Sequence, residues 1–168
     1  MAAWTFRLLR LNDLVRLHRW LNQPHVACWW GGAIEASTVE AKYRPRIARP
    51  AEVAPYLALF GDRPMGYLQL NRVDLPAGYG AGAVSLDAFL GDEENLGKGL
   101  GAEMIAGFVR TVVFADSTLK LCVVDPDPAN RRAIRTFARA GFRPVENDLM
   151  VIENPSAPLR ASGRRAGA

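Results

Sequence analysis

The chain is poor in the residues that most often announce a function. It holds two cysteines, Cys28 and Cys122, and two histidines, His18 and His25, in 168 residues. Neither cysteine sits in a CxxC or Cys/His ligand spacing. A disulfide framework and a structural metal site are thus excluded as organising features, and no metal is expected. Cys122 falls in an apolar run and reads as a buried, inert thiol. No apolar stretch approaches the ~20 residues of a membrane span. The N-terminal run Met1-Ala2-Ala3-Trp4-Thr5-Phe6-Arg7 has no signal-peptide core. The expectation is a cytoplasmic protein with no membrane partner.

An excess of one charge sign is also missing. The 21 basic and 17 acidic residues leave a net charge of +4, and half of that excess lies after Ile152. The body, with 18 basic and 16 acidic residues, is too balanced to argue for nucleic acid. Apolar content of 49% with 23% charged residues is that of an ordinary globular domain. Residues 1–152 are expected to form that single domain. Residues 153–168, rich in Pro, Ser, Gly, Ala and Arg, read as a basic disordered tail. Whether the chain is a monomer or a homodimer is left open.

What is present is a clear alternation of elements. Thr5 to Leu9 reads as a strand. Asn12 is placed to cap a helix with Leu14, Leu17, His18 and Leu21 on one face, ended by Pro24. Ser37-Thr38-Val39-Glu40 has capping-box spacing for a second helix. Pro55–Phe60 and Met65–Val73 form a hairpin around Gly61-Asp62-Arg63-Pro64. Ala83 to Leu90 is a central strand, followed by a glycine turn and a helix to about Ala115. Leu119 to Val124, apolar throughout, reads as a strand buried on both faces. Asp127-Pro128 reads as a helix start and Gly141 as its end. Phe142–Val145 and Asp148–Ile152 pair last. The order predicts a mixed α/β sheet, antiparallel early, with one β-α-β unit.

The turn Asn95-Leu96-Gly97-Lys98-Gly99-Leu100-Gly101 is the strongest chemical signal. Strand, glycine-rich turn and helix together offer unpaired backbone N–H groups to an anion. The spacing fits neither a P-loop nor a Rossmann fingerprint. A plain tight turn is the bland alternative. Three glycines, each costing ~0.5–1 kcal/mol of helix stability, favour close approach of a ligand instead.

Leu96-Gly97-Lys98-Gly99-Leu100-Gly101 resembles the pyrophosphate-binding turn of the GNAT superfamily of acyl-CoA-dependent N-acyltransferases. Gly99 and Gly101 match that pattern, and Leu96 departs from its Arg/Gln position. Asn130-Arg131-Arg132-Ala133-Ile134-Arg135-Thr136-Phe137 with Gly141-Phe142 is similar to the late helix of the same superfamily. Trp20-Leu21-Asn22, His25, Trp29-Trp30-Gly31-Gly32, Tyr43, Pro55-Tyr56, Gly66-Tyr67, Gln69, Asp125-Pro126 and Pro128 resemble the aminoglycoside 6′-N-acetyltransferases in particular. The likeness spans roughly residues 5 to 145. It implies a mostly antiparallel sheet flanked by helices with a splayed central strand pair. It also implies acetyl-CoA as co-substrate and a small cationic amine as acceptor.

Acyl transfer needs a neutral amine and hence a proton acceptor. The resemblance puts the catalytic carboxylate at Asp87. On residues alone, Asp87 could equally face solvent. By the same likeness Asp125, Trp29, Trp30, Tyr43 and Gln69 contact the substrate. The bland alternatives are a strand-end cap for Asp125 and helix packing for Tyr43. Phe89, Leu90, Leu96, Gly97, Lys98, Gly99, Leu100, Gly101, Asn130 and Phe137 would hold the donor, with Arg131 or Arg135 near its 3′-phosphate. His25 reads as a hydrogen-bonding loop residue. Asp92-Glu93-Glu94 reads as a solvated loop.

Two departures qualify the likeness. Phe137 stands where many members carry a proton-donating tyrosine. The segment Asn71 to Ala83 holds one carboxylate, Asp74, where the aminoglycoside enzymes have a longer acidic loop. Two other readings therefore stand beside the first. One is a siderophore-pathway acyltransferase acting on hydroxylysine-type amines, although such enzymes tend to carry a central-strand histidine. The other is an acyl-CoA-binding module without catalysis.

Overall fold

In the computed structural model of the chain, residues 3–73, 75–76 and 78–156 are described. Asp74 and residues 157–168 of the expected tail lie outside the described residues. The elements are β1 (Trp4–Leu8), α1 (Leu14–Leu21), α2 (Pro24–Ala27), α3 (Ala36–Ala48), β2 (Val53–Phe60), β3 (Arg63–Asn71), β4 (Ala83–Leu90), α4 (Leu100–Phe108), β5 (Leu121–Val124), α5 (Arg131–Arg139), β6 (Arg143–Pro144) and β7 (Met150–Glu153).

The strands form one sheet in the order β1-β2-β3-β4-β5-β7-β6. Every neighbouring pair is antiparallel except β4 with β5. β4 pairs with β3 along Ser85 to Leu90, but with β5 only from Ala83 to Ser85. Beyond Ser85 the two central strands part, as expected.

Strand alternation sends residues to two cores. Leu68, Leu70, Val84 and Leu86 pack with Met104 and Phe108 of α4 and Phe137 of α5. Leu57 and Tyr67 face the other way, against Leu17 and Trp20 of α1 and Val39 and Tyr43 of α3. The site described below lies where β4 passes between these layers.

Several local expectations are corrected. Asn12 is not the cap of α1. The Asp13 carboxylate accepts from the Arg10 N–H at 2.8 Å and from Arg7 at 2.7 and 2.8 Å, leading a short 3₁₀ turn into the helix. Pro24 does not end α1, which stops at Leu21. It opens α2, where a missing N–H costs nothing. The Ser37–Glu40 capping box does not form, because α3 already starts at Ala36. The helix after the glycine turn ends regular α geometry at Phe108 and continues as a π turn, Val109–Val113.

Asp127 is not the cap of α5 either. Its carboxylate accepts from the Ala129 N–H at 2.8 Å in the preceding turn. Asn130 caps the helix, its Oδ1 accepting from the Ala133 N–H at 3.0 Å. At the C-terminal end, β7 includes Glu153. Asn154 is buried, donating through its backbone N–H to Lys120 O and through its side chain to Leu119 O, both at 2.8 Å. The packed body thus runs past Ile152.

Candidate active site

The parting of β4 from β5 opens a cleft of about 740 Å³. Ala88, Phe89 and Leu90 of β4 wall it on one side. Leu96, Gly97, Gly99 and Gly101 of the glycine turn, with Asn130 and Phe137 of α5, wall the other. Gly97 has φ +75° and Gly99 has φ +82°, a region that side chains rarely adopt. The turn therefore presents backbone to the cleft. Among the described residues, no N–H from Gly97 to Gly101 has a hydrogen-bond partner. These donors stand at the positive end of α4.

Arg131, Arg132, Arg135 and Arg139 line the same cleft. None forms an ion pair among the described residues. Unpaired N–H groups beside unpaired guanidinium groups make an anion site. Lys98 and Leu100, expected to contact the donor, do not line the cleft. Lys98 is exposed beyond the turn, and Leu100 packs against the larger core.

Other cleft residues are more constrained than the sequence suggests. The cap bond occupies Asn130 Oδ1, so its NH₂ group is what remains for a ligand. Phe137 is buried, its ring 5.5 Å from that of Phe142. The Leu90 carbonyl is already bonded at 2.9 Å to His25 Nε2. This confirms His25 as a hydrogen-bonding residue and ties α2 to the end of β4. Cys28 is exposed on the cleft wall, whereas Cys122 is fully buried and its thiol pKa is pushed far up by desolvation.

Asp87 does not line the cleft itself; by strand alternation it shares a face of β4 with Phe89, which does. It faces Gln69 across the β3–β4 ladder. Its Oδ2 accepts from Asn71 Nδ2 at 3.0 Å and from Gln69 Nε2 at 3.3 Å. Burial raises the carboxyl pKa and the nearby charge of Asp125 adds to the rise, while Asn71, Gln69 and Arg46 oppose it. The net effect is upward, which makes Asp87 a stronger base than an exposed carboxylate. Asp125 follows the end of β5, two residues beyond the last β4–β5 pair, Ser85 with Val123, just as Asp87 lies two residues beyond it on β4. It is exposed at the mouth of the parting.

Gln69 is buried and fully bonded rather than free for a substrate. Its Oε1 accepts from Arg46 Nη1 at 2.7 Å and from Tyr67 Oη at 2.8 Å. Its Nε2 donates to Asn71 Oδ1 at 3.1 Å as well as to Asp87. Tyr43, also expected at the substrate, has no exposed surface. It packs edge-on to Tyr67 with ring centroids 5.8 Å apart, because α3 turns it into the smaller core. Trp29 and Trp30 do line the cleft. Trp29 is exposed, and Trp30 packs edge-on against Phe89 at 4.9 Å and Tyr67 at 5.9 Å. Trp30 thus bridges the cleft and the Asp87 face. The acidic loop is structural in part: Asp92 accepts from Arg19 and Trp20, and Glu94 from Arg63.

Residues 10–148 match the family described as the acetyltransferase (GNAT) domain. The aminoglycoside N(6′)-acetyltransferase type 1 of Klebsiella pneumoniae is 36% identical over 148 residues, covering 82% of this chain and 73% of that protein. The chain belongs to the GNAT acetyltransferases. A crystal structure of the aminoglycoside acetyltransferase AAC(6′)-Ib with coenzyme A and kanamycin superposes with a TM-score of 0.80. It is 30% identical and covers 92% of this chain and 96% of that one. The lysine N-acyltransferase MbtK of Mycolicibacterium paratuberculosis is 26% identical, covering 83% of this chain and 65% of that protein.

For this GNAT protein, sequence reading missed Arg46, Tyr67 and Asn71 as members of the carboxylate network. A signal existed for two of them. Tyr67, Gln69 and Asn71 alternate with Leu68 and Leu70, so one face of an otherwise apolar strand is polar opposite Asp87. Among the described residues, no helix is long and apolar enough to cross a membrane.

Proposed function

We propose that this GNAT acetyltransferase transfers an acetyl group from acetyl-CoA to the 6′-amine of an aminoglycoside, with Asp87 as general base. The observation that carries this reading is the double role of β4. Asp87 stands on its acceptor face, and Ala88 to Leu90 wall the cleft. Donor and acceptor sites thus adjoin along one strand, with Phe89, two residues from Asp87, in the cleft wall.

Acetyl-CoA would supply an acyl group activated as a thioester. The N–H groups of Gly97 to Gly101 fit its pyrophosphate, and the arginines of α5 fit its remaining phosphate. Asn130 Nδ2 and the free β4 backbone before Leu90 suit the amide-bearing arm. Phe137, in the cleft wall, would stand beside that arm but has no proton to give, and among the described residues no tyrosine lines the cleft.

On the acceptor side, Asp87 takes the proton of the attacking amine. Its Oδ2 is held by two amides, and among the described residues its Oδ1 has no partner. That oxygen remains to receive the proton. Asp125 adds negative charge for a cationic substrate, and Trp30 and Trp29 offer aromatic faces to a sugar ring or an ammonium group. The aminoglycoside as acceptor rests on the similar proteins named above.

One observation favours a second acceptor. Lys42 and Arg46 of α3 lie beside the Tyr43 ring at 5.6 and 5.4 Å, and neither forms an ion pair among the described residues. Two cations near Asp87 suit an amine that also carries a carboxylate, as a hydroxylysine does. Thiol release from acetyl-CoA, followed with kanamycin, tobramycin, N6-hydroxylysine and spermidine, separates the two. Turnover of the aminoglycosides with the product acetylated at the 6′-nitrogen supports the first reading. Turnover of hydroxylysine alone replaces it with the second.

A further inference from the structure

We propose that Arg46 is a positioning residue for the Asp87 base, acting through the Gln69 amide. The inference rests on the reading of Asp87 as the base and deepens it.

Arg46 leaves α3 and donates to Gln69 Oε1 at 2.7 Å, a charge-assisted bond. Tyr67 takes the second lone pair of that oxygen at 2.8 Å. An amide oxygen accepts two bonds, so its capacity is full. The amide NH₂ must then point to the other side, toward Asp87 and Asn71. Reversing the amide would set its oxygen against the Asp87 carboxylate and its NH₂ against the guanidinium, two repulsive contacts in a buried place. Asn71 is oriented in turn. Its Oδ1 accepts from Gln69, which leaves its NH₂ for Asp87 at 3.0 Å. Both donors on Asp87 Oδ2 therefore trace their orientation to Arg46.

The interposed amide has a second consequence. A guanidinium bonded directly to Asp87 would form an ion pair and weaken it as a base. Gln69 passes on the orientation while keeping the cation off the carboxylate. The charged and titratable groups around Asp87 are Lys42, Tyr43 and Arg46 on α3, Tyr67 on β3 and Asp125 after β5. Of these, Arg46 and Tyr67 alone donate to Gln69.

The test uses Arg46→Met, which keeps the apolar stem, with Arg46→Lys, Gln69→Leu and the Arg46→Met/Gln69→Leu double variant. The Asp87 carboxyl is titrated by ¹³C NMR in each, and kcat is measured against pH with the amine that the parent turns over. Arg46→Met is expected to move the Asp87 titration upward. It should also lower kcat roughly tenfold near neutral pH, with KM for acetyl-CoA unchanged. Arg46→Lys, which can still donate to Oε1, should recover most of both. The double variant should be no worse than Gln69→Leu.

An Arg46→Met titration that overlays the parent would overturn the proposal. So would full additivity of Arg46→Met and Gln69→Leu, because Arg46 would then act by its charge alone. If the parent turned over no amine, the base reading itself would fail, while the carboxyl titration would still decide whether Arg46 orients Asp87.

Discussion

The side-chain amide of Gln69 donates to the carboxylate of Asp87 at 3.3 Å, directly across the β3–β4 ladder. The acceptor half of the site is built on this pairing. It keeps a desolvated carboxylate oriented and, among the described residues, leaves one of its oxygens without a partner. A buried base of this kind costs stability, and that cost can be measured.

Burial lifts the Asp87 pKa above its value in the unfolded chain. The native state then holds the Asp87 proton more tightly than the unfolded state does. The resulting stabilisation is complete below the unfolded carboxylate range and is lost as pH rises through the folded value. Asp87→Asn keeps an acceptor oxygen for Asn71 and Gln69 and removes the buried charge. Thermal melts should show the variant more stable than the parent at pH 8, with the gap closing in acid. A variant less stable at both pH values would refute this.

The donor half depends on backbone geometry. Gly99 stands at φ +82° with open space around its Cα, so an added methyl group strains the backbone without striking a neighbour. That strain is about 1–2 kcal/mol and is relieved by distorting the turn. Gly99→Ala should therefore raise KM for acetyl-CoA about tenfold and leave kcat nearly unchanged. Initial-rate kinetics with acetyl-CoA varied at saturating amine give both constants.

Arg135 lines the cleft without an ion pair among the described residues. Its contact with a phosphate would be exposed and screened by salt. Arg135→Ala should raise KM for acetyl-CoA by roughly 3- to 10-fold in low salt. In 0.5 M salt the difference from the parent should shrink. Titrations with CoA at the two ionic strengths measure it directly.

Gly91 follows β4, and a Cβ built there would come within 2.0 Å of the Trp20 ring, which is fully buried. The indole is enclosed by the core and held by its Nε1–H bond to Asp92 at 3.3 Å. Gly91→Ala should cost ~1–3 kcal/mol by overpacking. For a chain of this length that is about 2–4 °C of melting temperature per kcal/mol. A melting curve that overlays the parent would show that the indole can move.

The strand–turn–helix around Gly97 to Gly101 was legible because its φ values demand glycine. What the turn offers is backbone, so Lys98, the conspicuous side chain of the motif, carried no information about the cleft. Asp87 was legible as a carboxylate among apolar strand residues. Its partners were not, because Arg46 reaches Gln69 from a helix 23 residues earlier in the chain. Tyr43 is equally plausible on a core face or a site face until the packing of α3 on β2 and β3 is known. The capping errors share one cause. Asp127 with Pro128, and Ser37 with Glu40, satisfy local rules at more than one register; Asp127 bonds Ala129 in the preceding turn while Asn130 caps α5, and α3 starts one residue before Ser37.

The most direct test is steady-state thiol release from acetyl-CoA with kanamycin, comparing the parent with Asp87→Asn. Removal of the base should lower kcat by about 10²-fold or more. CoA binding, measured separately by calorimetry, should stay nearly intact, because Asp87 lies outside the cleft lining. Unchanged turnover in Asp87→Asn would contradict the assignment of the base.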